Sequence, residues 1–149
     1  MADYDVVALL AIRDGKILLC KKKHSTSLLI LPGGSREAGE SAVACLHREI
    51  REELGNVEVR SPELMGVYTD RAATSEATNP KTVRVELYRG ELLGEPVASA
   101  EIAELVWFGE GDDQQLLAPS IVNKILPDLV ERGILPWDSR ARMHGGRAN

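Results

Sequence analysis

Carboxylates and glycines between residues 33 and 55 carry the strongest chemical signal in the chain. That stretch reads Gly34-x5-Glu40-x7-Arg48-Glu49-Ile50-x-Glu52-Glu53-x-Gly55. On a helix each residue turns by about 100°. Glu49 and Glu53, four apart, therefore lie one above the other, and Glu52 sits farther round. The apolar stripe centred on Ile50 runs beside Glu53, so the acids flank a buried face and do not point straight out to water. Three like charges so close destabilise a bare helix. Arg48, four before Glu52, relieves part of that repulsion, and a hard divalent cation relieves much more. Oxygen ligands of this kind suit Mg²⁺ or Mn²⁺. Taken alone, Glu-x-x-Glu-Glu is usually a solvated acidic face. The residues upstream shift that balance. Gly33 and Gly34 let the backbone turn tightly and approach a ligand closely. Glu40 lies at a helix start, where the dipole favours negative charge. A backbone carbonyl of that loop can join the carboxylates at a metal.

The helix that must carry these acids spans Ser41 to Leu54, with Gly55 where a C-terminal cap belongs. Val43, Leu46, Ile50 and Leu54 recur at spacings of three and four and predict one apolar face. Ahead of it, Val6 to Ile12, the turn signal Asp14-Gly15 and Ile17 to Cys20 predict a β-hairpin. The hairpin ends in the basic patch Lys21-Lys22-Lys23, either a solvated strand end or a phosphate contact. Leu28 to Leu31 is a predicted short strand, stopped by Pro32-Gly33-Gly34. Further strands are predicted at about Leu64–Tyr68, Val83–Tyr88 and Leu105–Phe108, with a turn at Gly94-Glu95-Pro96. Ile121 to Val130 has helical spacing, and Gly133 is its stop. The order strands, helix, strands, helix predicts a mixed sheet with helices on its faces. Residues 1–135 read as one domain. Residues 136–149 read as a polar, basic tail with Arg140, Arg142, Arg147 and Gly145-Gly146, either a loose end or a subunit contact.

Composition narrows the function classes. The chain has 149 residues, enough for one good core, with 44% hydrophobic and 28% charged residues. Its net charge of −5 speaks against a nucleic-acid partner, because phosphate backbones reward clustered Lys and Arg. No apolar run approaches the ~18–20 residues of a membrane span. The start, Met1-Ala2-Asp3-Tyr4-Asp5, lacks the basic and apolar stretches of a signal peptide. Cys20 and Cys45 have no paired spacing and read as reduced, buried thiols. A cytoplasmic protein without membrane or nucleic-acid partners is the expectation.

The segment from Gly34 to Gly55 resembles the Nudix box, the signature of the Nudix hydrolases. Every fixed Gly, Glu and Arg of that pattern has its match here. With each residue type at roughly 5–7% of positions, a chance match at a given start is far below about one in a million. One position departs: the aliphatic residue after the second glycine is Asn56, followed by Val57, which we read as a shifted packing contact. The resemblance implies an α/β fold (α+β) built as an α/β/α sandwich, with a mixed β-sheet flanked by helices. It implies a Mg²⁺-dependent hydrolase, with Mn²⁺ as a substitute, that cleaves a nucleoside diphosphate linked to another group. By position, Glu49 and Glu53 look like metal ligands. Glu52 looks like a third ligand or the group that orients the water. The general base stays open among these three. Arg48 looks like the residue that holds the acids, Glu40 and Gly55 like structural residues of the motif, and the Gly33 carbonyl like a backbone ligand. Gly34 is grouped with the substrate-binding loop. Outside the box, Glu101 is preferred to Glu104 as a further metal carboxylate, the alternative being that both are surface loop residues. Lys22 falls where some relatives contact substrate phosphates.

The overall shape resembles the small mutator-type subgroup, which removes oxidised nucleoside triphosphates. There an Asn near the start of the last helix reads the purine. Here Ala118 stands at that place, and alanine makes no such hydrogen bond. Trp107 and Phe108, ending an apolar strand, read as core more than as stacking residues. The polar stretch Arg71 to Lys81 can border the cleft. The alternatives are a nucleotide-sugar or dinucleoside-polyphosphate hydrolase, and a nucleotide-binding regulatory module without catalysis. A small nucleotide-like substrate and a homodimer complete the expected partners.

Overall fold

Apolar alternation on both faces of a strand requires cover on both faces, and the first strand shows it. In β1 (Tyr4–Leu10), Val7 and Leu9 pack with one apolar cluster, and Ala8 and Leu10 with the other. The computed structural model describes residues 1–138. Its further elements are β2 (Ile12–Arg13), β3 (Lys16–Lys22), β4 (Gly33–Ser35), α1 (Ala42–Leu54), β5 (Glu58–Arg71), β6 (Thr82–Leu93), β7 (Ile102–Phe108) and α2 (Leu126–Glu131). One sheet has the order β4-β1-β6-β5 and the other β2-β3-β7. The first is mixed, since β1 runs parallel to β6 and antiparallel to β4. Helix α1 covers one side and α2 the other, which gives the expected layered α+β arrangement.

The hairpin is shorter than the sequence suggests. Asp14 and Gly15 both have positive φ, 54° and 74°, which suits a type I′ turn. That turn joins only β2 to β3, pairing Ile12 with Ile17. Strand β1 belongs to the other sheet, where Val6 lies opposite Val85. The chain changes sheets at Ala11, which is buried between them. The segment 28–31 forms no ladder. It is held by isolated bridges, Cys20 to Ile30 and Leu29 to Leu117.

Helix α1 begins as its sequence dictates: Ser41 Oγ accepts the Ala44 N–H at 3.1 Å. It ends with Gly55 at φ 82°, whose N–H returns to the Arg51 carbonyl. The buried face is Ala42, Cys45, Leu46, Ile50 and Leu54, while Val43 is exposed. Cys45 takes the inward place predicted for Val43. Truncating Ile50 or Leu46 to Ala would cost about 2–5 kcal/mol. Val57, 4% exposed, enters the same cluster, so it supplies the aliphatic contact that Asn56 does not.

The second helical stretch is not regular. Ile121–Ile125 form a π-turn ahead of α2, in which the Leu126 N–H bonds the Ile121 carbonyl. Pro127 has no N–H for the regular ladder there, and this accounts for the widened turn. Tyr68 Oη donates to Asp128 at 2.6 Å, and Arg132 bridges Asp128 and the Met65 carbonyl, each at 2.9 Å. These bonds tie α2 to β5. The packed chain continues to Trp137, 6% exposed, which lies against Phe108 and donates Nε1–H to the Gly15 carbonyl at 2.7 Å. The arginines and glycines of the expected tail lie outside the described residues. No helix among the described residues is long and apolar enough to cross a membrane.

Candidate active site

A cleft of about 650 Å³ opens where β4 and its loop meet α1. Its lining includes Lys22, Gly33, Gly34, Arg48, Glu49, Glu53 and Glu101. Two glycines bring the loop onto the helix. The Gly33 backbone has φ 151°, and its N–H donates to Glu53 Oε1 at 2.9 Å. A Cβ at Gly33 would overlap the Val7 carbonyl, and a Cβ at Gly34 would overlap the Glu49 carboxyl group. The missing side chains therefore let β4 close on β1 and let Glu49 lie against the loop.

Arg48 organises the acids. Its guanidinium reaches Glu40 at 2.7 and 3.0 Å, Glu49 at 3.0 Å, Glu52 at 3.4 Å and the Ser35 carbonyl at 3.0 Å. The bonds from Arg48 hold the Glu40 carboxyl down at about 2. Burial pushes Glu53 the other way, up to about 7, helped by the neighbouring charges of Glu49 and Glu101 and opposed by the Gly33 N–H and Lys22. Burial also raises Glu49, with Arg48 opposing it. Two half-buried carboxylates thus face the cleft in a setting that disfavours their charged forms, Glu53 above all.

That setting is the test for a metal. Among the described residues no group of three or more His, Cys, Asp or Glu side chains forms a closed cage. A hard cation such as Mg²⁺ does not need one. It is commonly held by one or two carboxylates, waters and substrate phosphates. The donors present, Glu49 and Glu53 beside the Gly33–Gly34 backbone, fit that requirement.

The other sequence candidates separate into two groups. Lys22 and Glu101 line the cleft, and the Lys23 N–H fixes the Glu101 carbonyl at 2.9 Å. Glu52 does not line it; its side chain is 55% exposed and, among the described residues, bonds Arg48 alone. Glu40 acts on the cleft through Arg48 and through the Glu37 N–H it accepts at 2.9 Å, Gly55 closes the helix, and Glu104 stands opposite Lys21 in the β3–β7 ladder. Ala73 and Thr74 of the polar loop line the cleft, as do Ala118 and Ser120.

Sequence reasoning missed one pair. Glu86 is buried in β6 and accepts from Arg36 at 2.6 Å and from Tyr88 Oη at 2.7 Å. Arg36 directly follows β4, so this bond straps the glycine loop across β1 to β6. The partners are fifty positions apart, and no local spacing signals them.

Comparison with known proteins bears on the family and the fold. The NUDIX domain family model matches residues 3–128. A protein of Bacillus subtilis (strain 168) described as the uncharacterized Nudix hydrolase YvcI is 31% identical over 107 residues, covering 71% of this chain. The match spans 66% of that relative, just under two thirds of its length. The solution structure of the E. coli ORF135 protein superposes with a TM-score of 0.67 at 29% identity, over 90% of this chain and 94% of that one. A MutT Nudix hydrolase from Burkholderia pseudomallei gives 0.67 at 27%, over 80% and 93%.

Proposed function

This chain belongs to the Nudix hydrolase family, and from that premise we propose that it is a divalent-metal-dependent pyrophosphohydrolase acting on a nucleoside diphosphate linked to a further group. Mg²⁺ is the proposed ion, with Mn²⁺ as substitute. One observation carries the reading: Glu49 and Glu53 are held half-buried at the cleft by two glycines, in a setting that disfavours their charged forms.

In this mechanism Glu49 and Glu53 would hold the ion through carboxylate oxygens and Gly33 through its carbonyl, with Glu101, whose charge already acts on Glu53, as a further carboxylate. Glu52 stays in reserve as a water-orienting group. The bound ion supplies charge stabilisation at the pyrophosphate oxygens and a more acidic water. Arg48 keeps the Glu49 carboxylate oriented through its 3.0 Å bond, and the Gly33 N–H does the same for Glu53. Lys22 meets the substrate phosphates from β3. The rest of the cleft, including Val6, Ala8, Ile30, Val83 and Ala118, offers an apolar wall for the remainder of the substrate. A (deoxy)nucleoside triphosphate is the finer reading. Ala118 offers no side-chain hydrogen bond, which argues against purine readout at that position.

The test is phosphate and pyrophosphate release across nucleoside triphosphates, their 8-oxo forms, nucleotide sugars and dinucleoside polyphosphates, each with Mg²⁺ and with EDTA. Release from one class that requires Mg²⁺ supports the reading and names the substrate. Nucleotide binding without turnover of any class would overturn it in favour of a regulatory module.

A further inference from the structure

A second cavity, of about 560 Å³, shares no residue with the cleft. It lies where the two sheets part, lined by Ala11 to Arg13 at the sheet change, Arg60, Ser61 and Glu63 of β5, Arg89 to Leu92 of β6 and Trp107 of β7. The cleft takes Val83 and Val85 from β6 and this crevice takes Arg89 to Leu92. At about 3.3 Å per residue, the two sites stand roughly 20 Å apart along that strand.

Three guanidiniums converge here in a chain that is acidic as a whole. A bulge in β5 brings this about. Arg60 pairs with Glu91 and Glu63 with Arg89, so three steps on β5 match two on β6. Ser61, at φ 53°, absorbs the extra residue. Arg60 and Glu63, which a regular strand would send to opposite faces, are thereby placed on the face that Glu91 and Arg89 share. Arg13 lies over the Trp107 ring at 4.8 Å from its centroid. That contact fixes a planar fork at the mouth of the cavity.

The neutralisation of these arginines is thin. Arg13 meets Glu95 at 3.4 Å and Arg60 meets Glu91 at 3.7 Å, with both acids well exposed. Exposed pairs of this kind are weak. Arg89 has no ion pair among the described residues, and Glu63 is the other acid in the lining. The three guanidiniums have three acids around them, Glu63 and Glu91 in the lining and Glu95 on Arg13. Both ion pairs are long and exposed and Arg89 has none among the described residues, so guanidinium donors stay available beside an indole. A dianion bonded by planar forks displaces such pairs more readily than a monoanion does. The volume falls in the usual ~300–1,000 Å³ range of small-molecule sites and exceeds what a lone phosphate fills.

We propose that this crevice is a second, non-catalytic site for a phosphate monoester of the size of a nucleoside monophosphate. It goes beyond the hydrolase reading and stands without it. The phosphate lies among Arg13, Arg60 and Arg89, and the remainder of the ligand lies along Ala11, Leu92 and Trp107.

Adenosine 5′-monophosphate and, separately, inorganic phosphate are titrated into the metal-free full chain while Trp107 fluorescence is followed. Trp137, sealed against Phe108, supplies a constant background. The expected result is a saturable change that Arg89→Ala weakens at least about tenfold, or 1.4 kcal/mol, and that Lys22→Ala in the cleft leaves alone. Circular dichroism checks that Arg89→Ala is folded, as its exposed side chain without an ion pair predicts. Equal affinity for phosphate and the nucleotide would identify free phosphate as the ligand, and tighter nucleotide binding would identify the ester; either supports the site. No saturable change up to about 10 mM ligand, or a change lost in Lys22→Ala and kept in Arg89→Ala, overturns it.

Discussion

Glu40 and Glu53 belong to one short segment, yet the protein treats their charges in opposite ways. Glu40 sits under the Arg48 fork, with two bonds of 2.7 and 3.0 Å, and its carboxyl is held down at about 2. Glu53 has one backbone N–H at 2.9 Å, and burial lifts it to about 7. The first arrangement is complete within the chain and holds the loop to the helix. The second is incomplete and faces a cleft. Charge left unneutralised next to a cavity costs stability, so it marks where a ligand is expected to do the neutralising. The contrast distinguishes a clamp from a site within the same motif.

Glu53→Gln tests the contrast at its strongest point. Losing a ligand charge should lower kcat by about a hundredfold or more. It should not lower the Tm measured in EDTA, because the charge removed is one that no guanidinium among the described residues pairs. A Tm fall as large as that of Arg48→Ala would erase the distinction. Arg48→Ala should lower both quantities. It strips Glu40 of its partner, frees the Ser35 carbonyl and leaves Glu49 unoriented, for a loss of about 10–100-fold in activity. Thermal unfolding alongside Mg²⁺ half-saturation checks this, and Arg48→Lys should recover only part, because an ammonium cannot reproduce the fork.

The clamp was easier to read from sequence than the strap beside it, for physical reasons. Helix α1 writes its address locally: Ser41 and Gly55 cap it, and the three-to-four spacing gives its buried face, although Cys45 and not Val43 completes that face. Glu49 and Glu53 follow from that spacing. Strand β1 was legible as a strand, but its partner β6 lies about eighty residues away, and short-range alternation names no partner. The hairpin was therefore overextended. Segment 28–31 has strand-like composition but meets single residues on two sides, so it makes bridges and no ladder. In β6 the alternation of Val83, Val85 and Leu87 with Arg84, Glu86 and Tyr88 reads as one buried and one wet face. Glu86 is buried there because Arg36 folds over it from another strand.

That strap predicts an intermediate result between clamp and site. Arg36→Ala leaves a buried carboxylate with the Tyr88 hydroxyl and a 3.7 Å contact to Arg84. Losing an ionic hydrogen bond of this kind should cost about 1.5–3 kcal/mol in denaturant unfolding. Activity should fall less than about tenfold, since the Arg48 clamp, the Gly33 N–H bond to Glu53 and the β1–β4 ladder all remain. Adding Glu86→Gln should return part of the lost stability, because it removes the charge left behind. No recovery in the double variant would show that Arg36 acts through packing alone.

The smallest effect concerns acid. Glu40 titrates near 2 when folded, against an ordinary value of 4.5, so the folded state binds this proton less readily. The Glu40–Arg48 contribution is therefore fully present above about pH 4.5 and is lost as pH falls toward 2. Asp3 and Asp128 are also held below their ordinary values, so acid weakens the wild type through more than one group. The difference between wild type and Glu40→Gln isolates the clamp. The variant should be less stable at pH 7 and should lose less on acidification, so that the two Tm curves converge between about pH 4.5 and 2. Curves that stay parallel through that window would mean that the Arg48 fork holds Glu40 no more tightly folded than unfolded. Glu40 would then be no clamp, and the contrast with Glu53 would rest on burial alone.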